Sequence, residues 1–189
     1  MVYNFVNSKK NFLAKKDKSN KGGIDEQIAL LCEAINARDD CFSTSSCSGR
    51  MVLVRDALKK GKGLFLFRTH DILEFDSFKK ILQEVAGQEQ ETVMFKQEPC
   101  LLVVSCKDAQ TQEWLFNQAR NNGWKKSGML SLNKKFLVEL MSTGGMEFPI
   151  INKGKVLVSD EFLEVVIKKS NQNLKKSWER IYDLEKRVR

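Results

Sequence analysis

Residues 92–106 read TVMFKQEPCLLVVSC. Two runs of strand length, TVMF and CLLVVSC, are dense in Val, Phe and Leu and too short for helices. Between them stand Lys96, Gln97, Glu98 and Pro99. A residue before proline is driven to extended geometry, so Glu98 is held at a strand junction. Read as a strand pair, the stretch sets a pattern that the chain repeats on either side. MVLV (51–54) and GLFLF (63–67) form one pair before it, and GMLSL (128–132) and FLVELM (136–141) another after it.

Two helical windows separate these pairs. From Phe75 to Ala86, Phe78, Ile81, Leu82 and Val85 share one face, and from Ala109 to Asn122, Trp114, Leu115, Gln118 and Ala119 do the same. Gly87 and Gly123 stand where helix caps belong. Ahead of the first pair, Ile24, Ile28, Leu31 and Ile35 recur at helical spacing, with Asp25 and Glu26 favourably placed in the first turn. Phe5, Phe12 and Leu13 among lysines predict a short amphipathic helix, broken by Lys21-Gly22-Gly23. Ser159 opens a final helix that runs to the end of the chain or breaks near Asn171 and Asn173.

The expected fold is therefore α/β of the α+β type. A mixed sheet of about six short strands carries packed helices and has basic helical ends. The expected organisation is a single domain, 1–189, with a basic N-terminal segment (1–23), a core (24–167) and a basic C-terminal helix (168–189).

The chain has 189 residues, 42% hydrophobic and 30% charged, enough to bury a core. Its +8 net charge sits at the ends: residues 1–24 and 168–189 each carry +5, leaving −2 for the middle. Termini that grip a polyanion around a site-bearing body would show this pattern, as would solubilising charge on exposed helices. No apolar run is long enough to span a membrane, and the N-terminal stretch lacks the apolar core and small-residue cleavage site expected of a secretory signal. An odd count of five cysteines favours free thiols in a reducing compartment. With no CxxC and only His70, a zinc ribbon or finger is not expected, nor any other metal site.

Several segments carry more polar chemistry than turns require. CFSTSSCSGR (41–50) packs four serines, a threonine, two cysteines and an arginine into one loop-like run between a helix and a strand. Its hydroxyls, its N–H groups and Arg50 suit a phosphate or carboxylate, and Gly49 allows close backbone approach. Cys47 is a conceivable nucleophile only with His70 as base, against the plainer reading of an inert thiol. Gly123-Trp124-Lys125-Lys126-Ser127-Gly128 sets an indole beside two lysines, fit for stacking a base or for core packing. Ser142-Thr143-Gly144-Gly145 before Glu147 makes a second polar loop. No GxGxxG is present, and Gly61-Lys62-Gly63 reads as a turn before a strand, so a doubly wound nucleotide fold is not indicated.

In this order the segments resemble the tRNA wybutosine-synthesizing protein 3 family. The resemblance begins at Asp17-Lys18-Ser19 and Lys21-Gly22-Gly23-Ile24-Asp25-Glu26 and is most specific at residues 43–50. It continues through Thr69-His70, residues 95–99, residues 123–128, and Ser142-Thr143 with Glu147 and Pro149. It implies a fold unlike the Rossmann methyltransferases and an S-adenosylmethionine-dependent enzyme of the cytoplasm. The implied reaction methylates N4 of the demethylwyosine-type tricyclic base beside the anticodon of phenylalanine tRNA. Implied bases are His70 and Glu98. Implied cofactor contacts are Asp25, Ser45, Ser46, Ser48, Gly49, Arg50, Ser142, Thr143 and Glu147. Lys96, Trp124, Lys125, Lys126, Ser127, Lys175 and Lys176 are the expected RNA contacts, and a monomer is expected. Val103, Met141 and Gly144 stand where the family usually has His, Arg and His. These departures keep a rival open, a tRNA-binding protein with the fold and without the activity.

Overall fold

The computed structural model describes residues 4–14, 23–56, 63–133 and 135–189. The expected helix break at Lys21-Gly22, the family match at 17–19 and most of the Gly61-Lys62-Gly63 turn lie outside these residues. Element order is α1 (Phe5–Leu13), α2 (Glu26–Ala37), β1 (Cys41–Cys47), β2 (Arg50–Arg55), β3 (Phe65–Thr69) and α3 (Phe75–Gln88). Then come β4 (Val93–Glu98), β5 (Leu101–Cys106), α4 (Ala109–Asn121), β6 (Gly128–Leu132), β7 (Phe136–Met141), β8 (Met146–Asn152), β9 (Lys155–Val156) and α5 (Asp160–Val188).

The α+β class holds, but the sheet differs from expectation. Among the described residues there are two sheets, both antiparallel: four strands in the order β1-β5-β7-β6, and five in the order β3-β2-β4-β8-β9. The outer predicted pairs, β2 with β3 and β6 with β7, are real. The central one is not, because β4 and β5 belong to different sheets. Only Pro99 and Cys100 separate them. A two-residue hairpin needs positive φ at its turn, which proline cannot adopt and cysteine resists, so the chain runs on instead of reversing.

The chain forms two compact units. The first comprises Met1–Ser48, Cys100–Thr143 and Lys176–Arg189; the second, Gly49–Pro99 and Gly144–Lys175. α5 is one continuous helix, so the boundary expected at 167/168 falls inside it, and no break occurs at Asn171 or Asn173.

In the first unit, α2 and α4 bury their apolar stripes with the four-stranded sheet. Ile28, Leu31 and Ile35 join Leu102, Val104, Leu115, Val138, Leu140, Ile181 and Leu184 in one core. The Asp108 carboxylate caps α4 by accepting the Thr111 N–H at 2.8 Å, and this bond holds its carboxyl below the usual range. Gly123, at φ +83°, ends α4 as the sequence predicts. Gly87, by contrast, lies within α3.

The second unit is built around aromatics. Phe67, Phe78, Phe95, Phe148 and Phe162 form a chain of ring contacts with successive centroids 5.3–5.8 Å apart, linking β3, α3, β4, β8 and α5. Offset and edge-on rings at this spacing add to the burial itself.

Candidate active-site surfaces

The serine-rich run is a strand, not a loop. β1 lies at the edge of the four-stranded sheet and pairs with β5 from Cys41↔Cys106 to Cys47↔Leu101. No alternation of apolar and polar residues marks it in the sequence, because burial does not alternate along it: Cys41, Phe42 and Ser43 are all buried, Phe42 against the rings of Phe5 and Phe12. A bulge between Ser43 and Ser45 shifts the register, and the Thr44 hydroxyl donates to the Val103 carbonyl at 3.1 Å.

Ser48 is fully buried, and its N–H and hydroxyl both reach Asp25 Oδ2, at 3.0 and 3.2 Å. Asp25 occupies the N-cap position of α2 but makes no side-chain bond to its own helix. Its carboxylate is turned to the end of β1 instead. Two motifs far apart in sequence, 21–26 and 43–50, are thereby joined.

Ser45, Val103 and Glu139 share one rung of this sheet, and Cys47, Leu101 and Met141 another. Side chains two residues apart along a strand point the same way. Val103 and Met141, two of the departures from the family pattern, therefore lie on the same face as Ser45 and Cys47. At these two positions the face carries apolar side chains, beside Leu101 and flanked by Ser45 and Glu139.

The other polar segments of this unit converge on Arg180, which sequence reading counted only as part of a basic end. Its guanidinium donates to the Thr143 carbonyl and hydroxyl at 3.2 and 3.1 Å. Its own carbonyl accepts from Asn122 Nδ2 (2.9 Å) and Trp124 Nε1 (3.3 Å). A Cβ on Gly123 would meet Arg180 Nε at 2.9 Å, so the glycine also permits this approach. Ser142 is fully buried, with its hydroxyl 3.5 Å from that of Ser177.

Two RNA assignments need correction. Trp124 is fully buried in the core, so its ring is no stacking platform. Ser127 is buried too: its hydroxyl donates to the Trp124 carbonyl at 2.6 Å and accepts the Met141 N–H at 3.1 Å. Only Lys125 and Lys126 of that motif are exposed. Burial also pushes up the thiols of Cys32, Cys100 (to about 11), Cys41 (to about 12) and Cys106. These four are neutral core groups at physiological pH. Cys47 is the partly exposed cysteine.

In the second unit, the strand registers assemble a polar face. Arg50 pairs with Glu98 in one rung. The next rung on that face reads Glu147, Lys96, Val52, Arg68 across β8, β4, β2 and β3, and the one after it Pro149, Met94, Val54, Phe65. Arg50 Nε donates to Glu98 Oε2 at 2.5 Å, and Lys96 Nζ lies 2.6 Å from Glu147 Oε1. The sequence singled out these four residues but not their pairing. His70 follows Thr69, which pairs with Met51, so it stands next to the Arg50 rung. Gly49 has φ +99°, a conformation that fits its glycine.

A second polar pair ties this unit to α5. Asn173 Nδ2 donates to Gln97 Oε1 at 2.9 Å, and Gln97 Nε2 donates to the Glu98 carbonyl at 3.1 Å. Gly144, the third departure from the family pattern, has φ +101°, and a Cβ there would meet the Asn173 side chain at 3.3 Å. A histidine at that position would be strained in this backbone.

Comparison with known proteins fits this architecture. The chain is 33% identical to the tRNA wybutosine-synthesizing protein 3 homolog of Xenopus laevis, covering 94% of this chain and 71% of that protein. It is 32% identical to an Archaeoglobus fulgidus protein named tRNA(Phe) 7-((3-amino-3-carboxypropyl)-4-demethylwyosine(37)-N(4))-methyltransferase, covering 88% of this chain and 83% of that one. The solved structure of the PH1069 protein from Pyrococcus horikoshii superposes with a TM-score of 0.85 at 27% identity, over 98% of this chain and 96% of that one. The family model described as Methyltransferase TYW3 matches residues 7–189, and on that match, with the colinear motifs and the shared fold, the chain belongs to this methyltransferase family.

Proposed function

We propose that the chain transfers a methyl group from S-adenosylmethionine to N4 of the demethylwyosine-type tricyclic base beside the anticodon of phenylalanine tRNA. The observation that carries this reading is the likeness to the Archaeoglobus N4-methyltransferase over 83% of that protein's length. The cytoplasm is the compartment in which we expect the activity. No helix among the described residues is long and apolar enough to cross a membrane.

The donor chemistry fits such a cofactor. Asp25 offers a carboxylate for its amine or sulfonium, and one hydroxyl of β1 suits its carboxylate or ribose, Ser45 on one face of the strand or Ser46 on the other. Ser48 and Thr143 support this surface from beneath, since their side chains are bound to Asp25 and Arg180. Bound there, S-adenosylmethionine supplies an electrophilic methyl group on sulfur. The protein's part is then to position the base, exclude water and take up the proton lost from the methylated nitrogen. Glu98 is committed to Arg50 through Oε2. His70, beside the Arg50–Glu98 rung, is our choice for the proton acceptor, since an imidazole nitrogen can take up a proton. The Arg50–Glu98 pair, next to His70 in the second unit, holds the ends of β2 and β4 in register.

Single turnover on tRNA carrying the unmethylated tricyclic base tests the reading. Nucleoside mass spectrometry is expected to show one added methyl at N4, dependent on S-adenosylmethionine. The second reading, a tRNA-binding protein without the chemistry, draws on the apolar Val103 and Met141 and on Gly144. It predicts tRNA binding with neither cofactor binding nor methyl gain.

Lys125, Lys126, Lys175 and Lys176 are all exposed. Replacing all four by glutamine is expected to weaken tRNA binding and flatten its salt dependence. The slope of log affinity against log salt should fall by about 0.7–0.9 for each phosphate that the lysines no longer neutralise. Filter binding across a salt series measures this, and an unchanged slope would make these lysines solubilising only.

A further inference from the structure

The face of the five-stranded sheet that bears Arg50, Lys96 and Arg68 carries at its β3 edge an aromatic group that none of the family motifs includes. Phe65 lies on β3, an edge strand, and is 49% exposed. A lone exposed phenylalanine needs no explanation. This one has two guanidiniums against its ring, Arg50 Cζ at 5.3 Å and Arg68 Cζ at 6.0 Å from the centroid. The register explains the grouping. A bulge between Leu53 and Val54 brings Phe65 opposite Val54, on the face that also bears Arg50, Lys96 and Arg68.

The charges on this face are not equally occupied. Arg50 is paired with Glu98 and Lys96 with Glu147. Arg68 is exposed, and among the described residues no carboxylate is paired with it. An exposed ring beside an unneutralised guanidinium matches a nucleotide: the base stacks on the ring and its phosphate meets the cation. A protein partner would need a broader apolar patch than one ring set among charged groups.

We infer that this face is a stacking platform for a single-stranded segment of the substrate RNA, with Phe65 under a base and Arg68 at a phosphate. The inference rests on the tRNA reading above and adds where the unpaired loop lies. It gives the sheet the role that the sequence suggested for Trp124, whose ring is buried.

The test uses the full chain and the anticodon stem–loop of phenylalanine tRNA as the probe, with affinity read by anisotropy. Phe65→Ala is expected to weaken binding about tenfold, within the range for losing one stacked base. Phe65→Tyr should bind like the parent, and Phe65→Leu should bind as poorly as Phe65→Ala, because stacking needs a π-face. Arg68→Ala should lower the salt slope by the share of about one phosphate. S-adenosylmethionine affinity and the melting temperature should be unchanged in all four. Phe65→Leu at full affinity would reduce the ring to an apolar contact and overturn the inference, as would full affinity in Phe65→Ala. If the parent chain fails to bind the stem–loop at all, the tRNA reading itself falls, and that result is distinct from a parent that binds and a Phe65 series that is flat.

Discussion

Trp124→Ala is expected to lower the stability of the chain by about 3–5 kcal/mol, the range for truncating a large aromatic in a packed core. The indole is fully buried among the apolar side chains of the first unit. Alanine would leave a cavity there, and the surrounding helices and strands could close it only in part. The indole N–H also donates to the Arg180 carbonyl. That carbonyl keeps a second donor, Asn122 Nδ2, so losing the N–H strands no acceptor. Trp124→Phe is accordingly expected to cost much less than Trp124→Ala, since most of the buried volume stays. Chemical denaturation monitored by circular dichroism gives both values. Unchanged stability together with weaker RNA binding would mean the ring is reachable after all.

Arg50→Ala is expected to reduce single-turnover methyl transfer at least tenfold, equivalent to about 1.4 kcal/mol of transition-state stabilisation. The change removes the guanidinium that binds Glu98 and leaves that carboxylate on the sheet face without its partner. It also removes one of the two cations beside Phe65. Arg50 is partly exposed at the start of β2, so the fold should survive, and an unchanged melting curve would confirm that. Arg50→Lys is expected to restore little, because an ammonium cannot reproduce the planar fork that donates to Glu98 and lies over an aromatic ring. Full activity in folded Arg50→Ala would leave residues 41–50 with a structural role only.

Much of the candidate site is visible before folding, but as segments and not as geometry. Asp25, residues 43–50, Glu98 and Glu147 stand out by residue type and spacing. Their partners do not. That Asp25 holds Ser48, that Lys96 faces Glu147 and that Arg180 binds Thr143 are contacts across 23, 51 and 37 residues. Nothing local marks them. Arg180 and Asn173 are harder still to find, because both sit in α5 among many charged and amide residues, and nothing local separates them, or Asn171 and Glu185, from the exposed ones. Trp124 was ambiguous for a related reason: an indole beside two lysines is compatible with either face, and only packing decides which is covered.

Local physics, readable from the sequence alone, determined where most helices and strands lie. Apolar periodicity marks α2, α3, α4 and α5. Asp108 and Ser159 sit where helix caps are needed, and Gly123 where a left-handed residue is required. The strand runs from β2 to β7 come from short apolar runs, most of them rich in β-branched and aromatic residues. Tertiary structure alone decided which strands become neighbours. A period of two tells which residues of a strand share a face, but not which strand lies beside it or in what register. Pairing is a competition among distant segments, settled by the burial of whole faces. That competition sends β4 and β5, two residues apart in the chain, into different sheets.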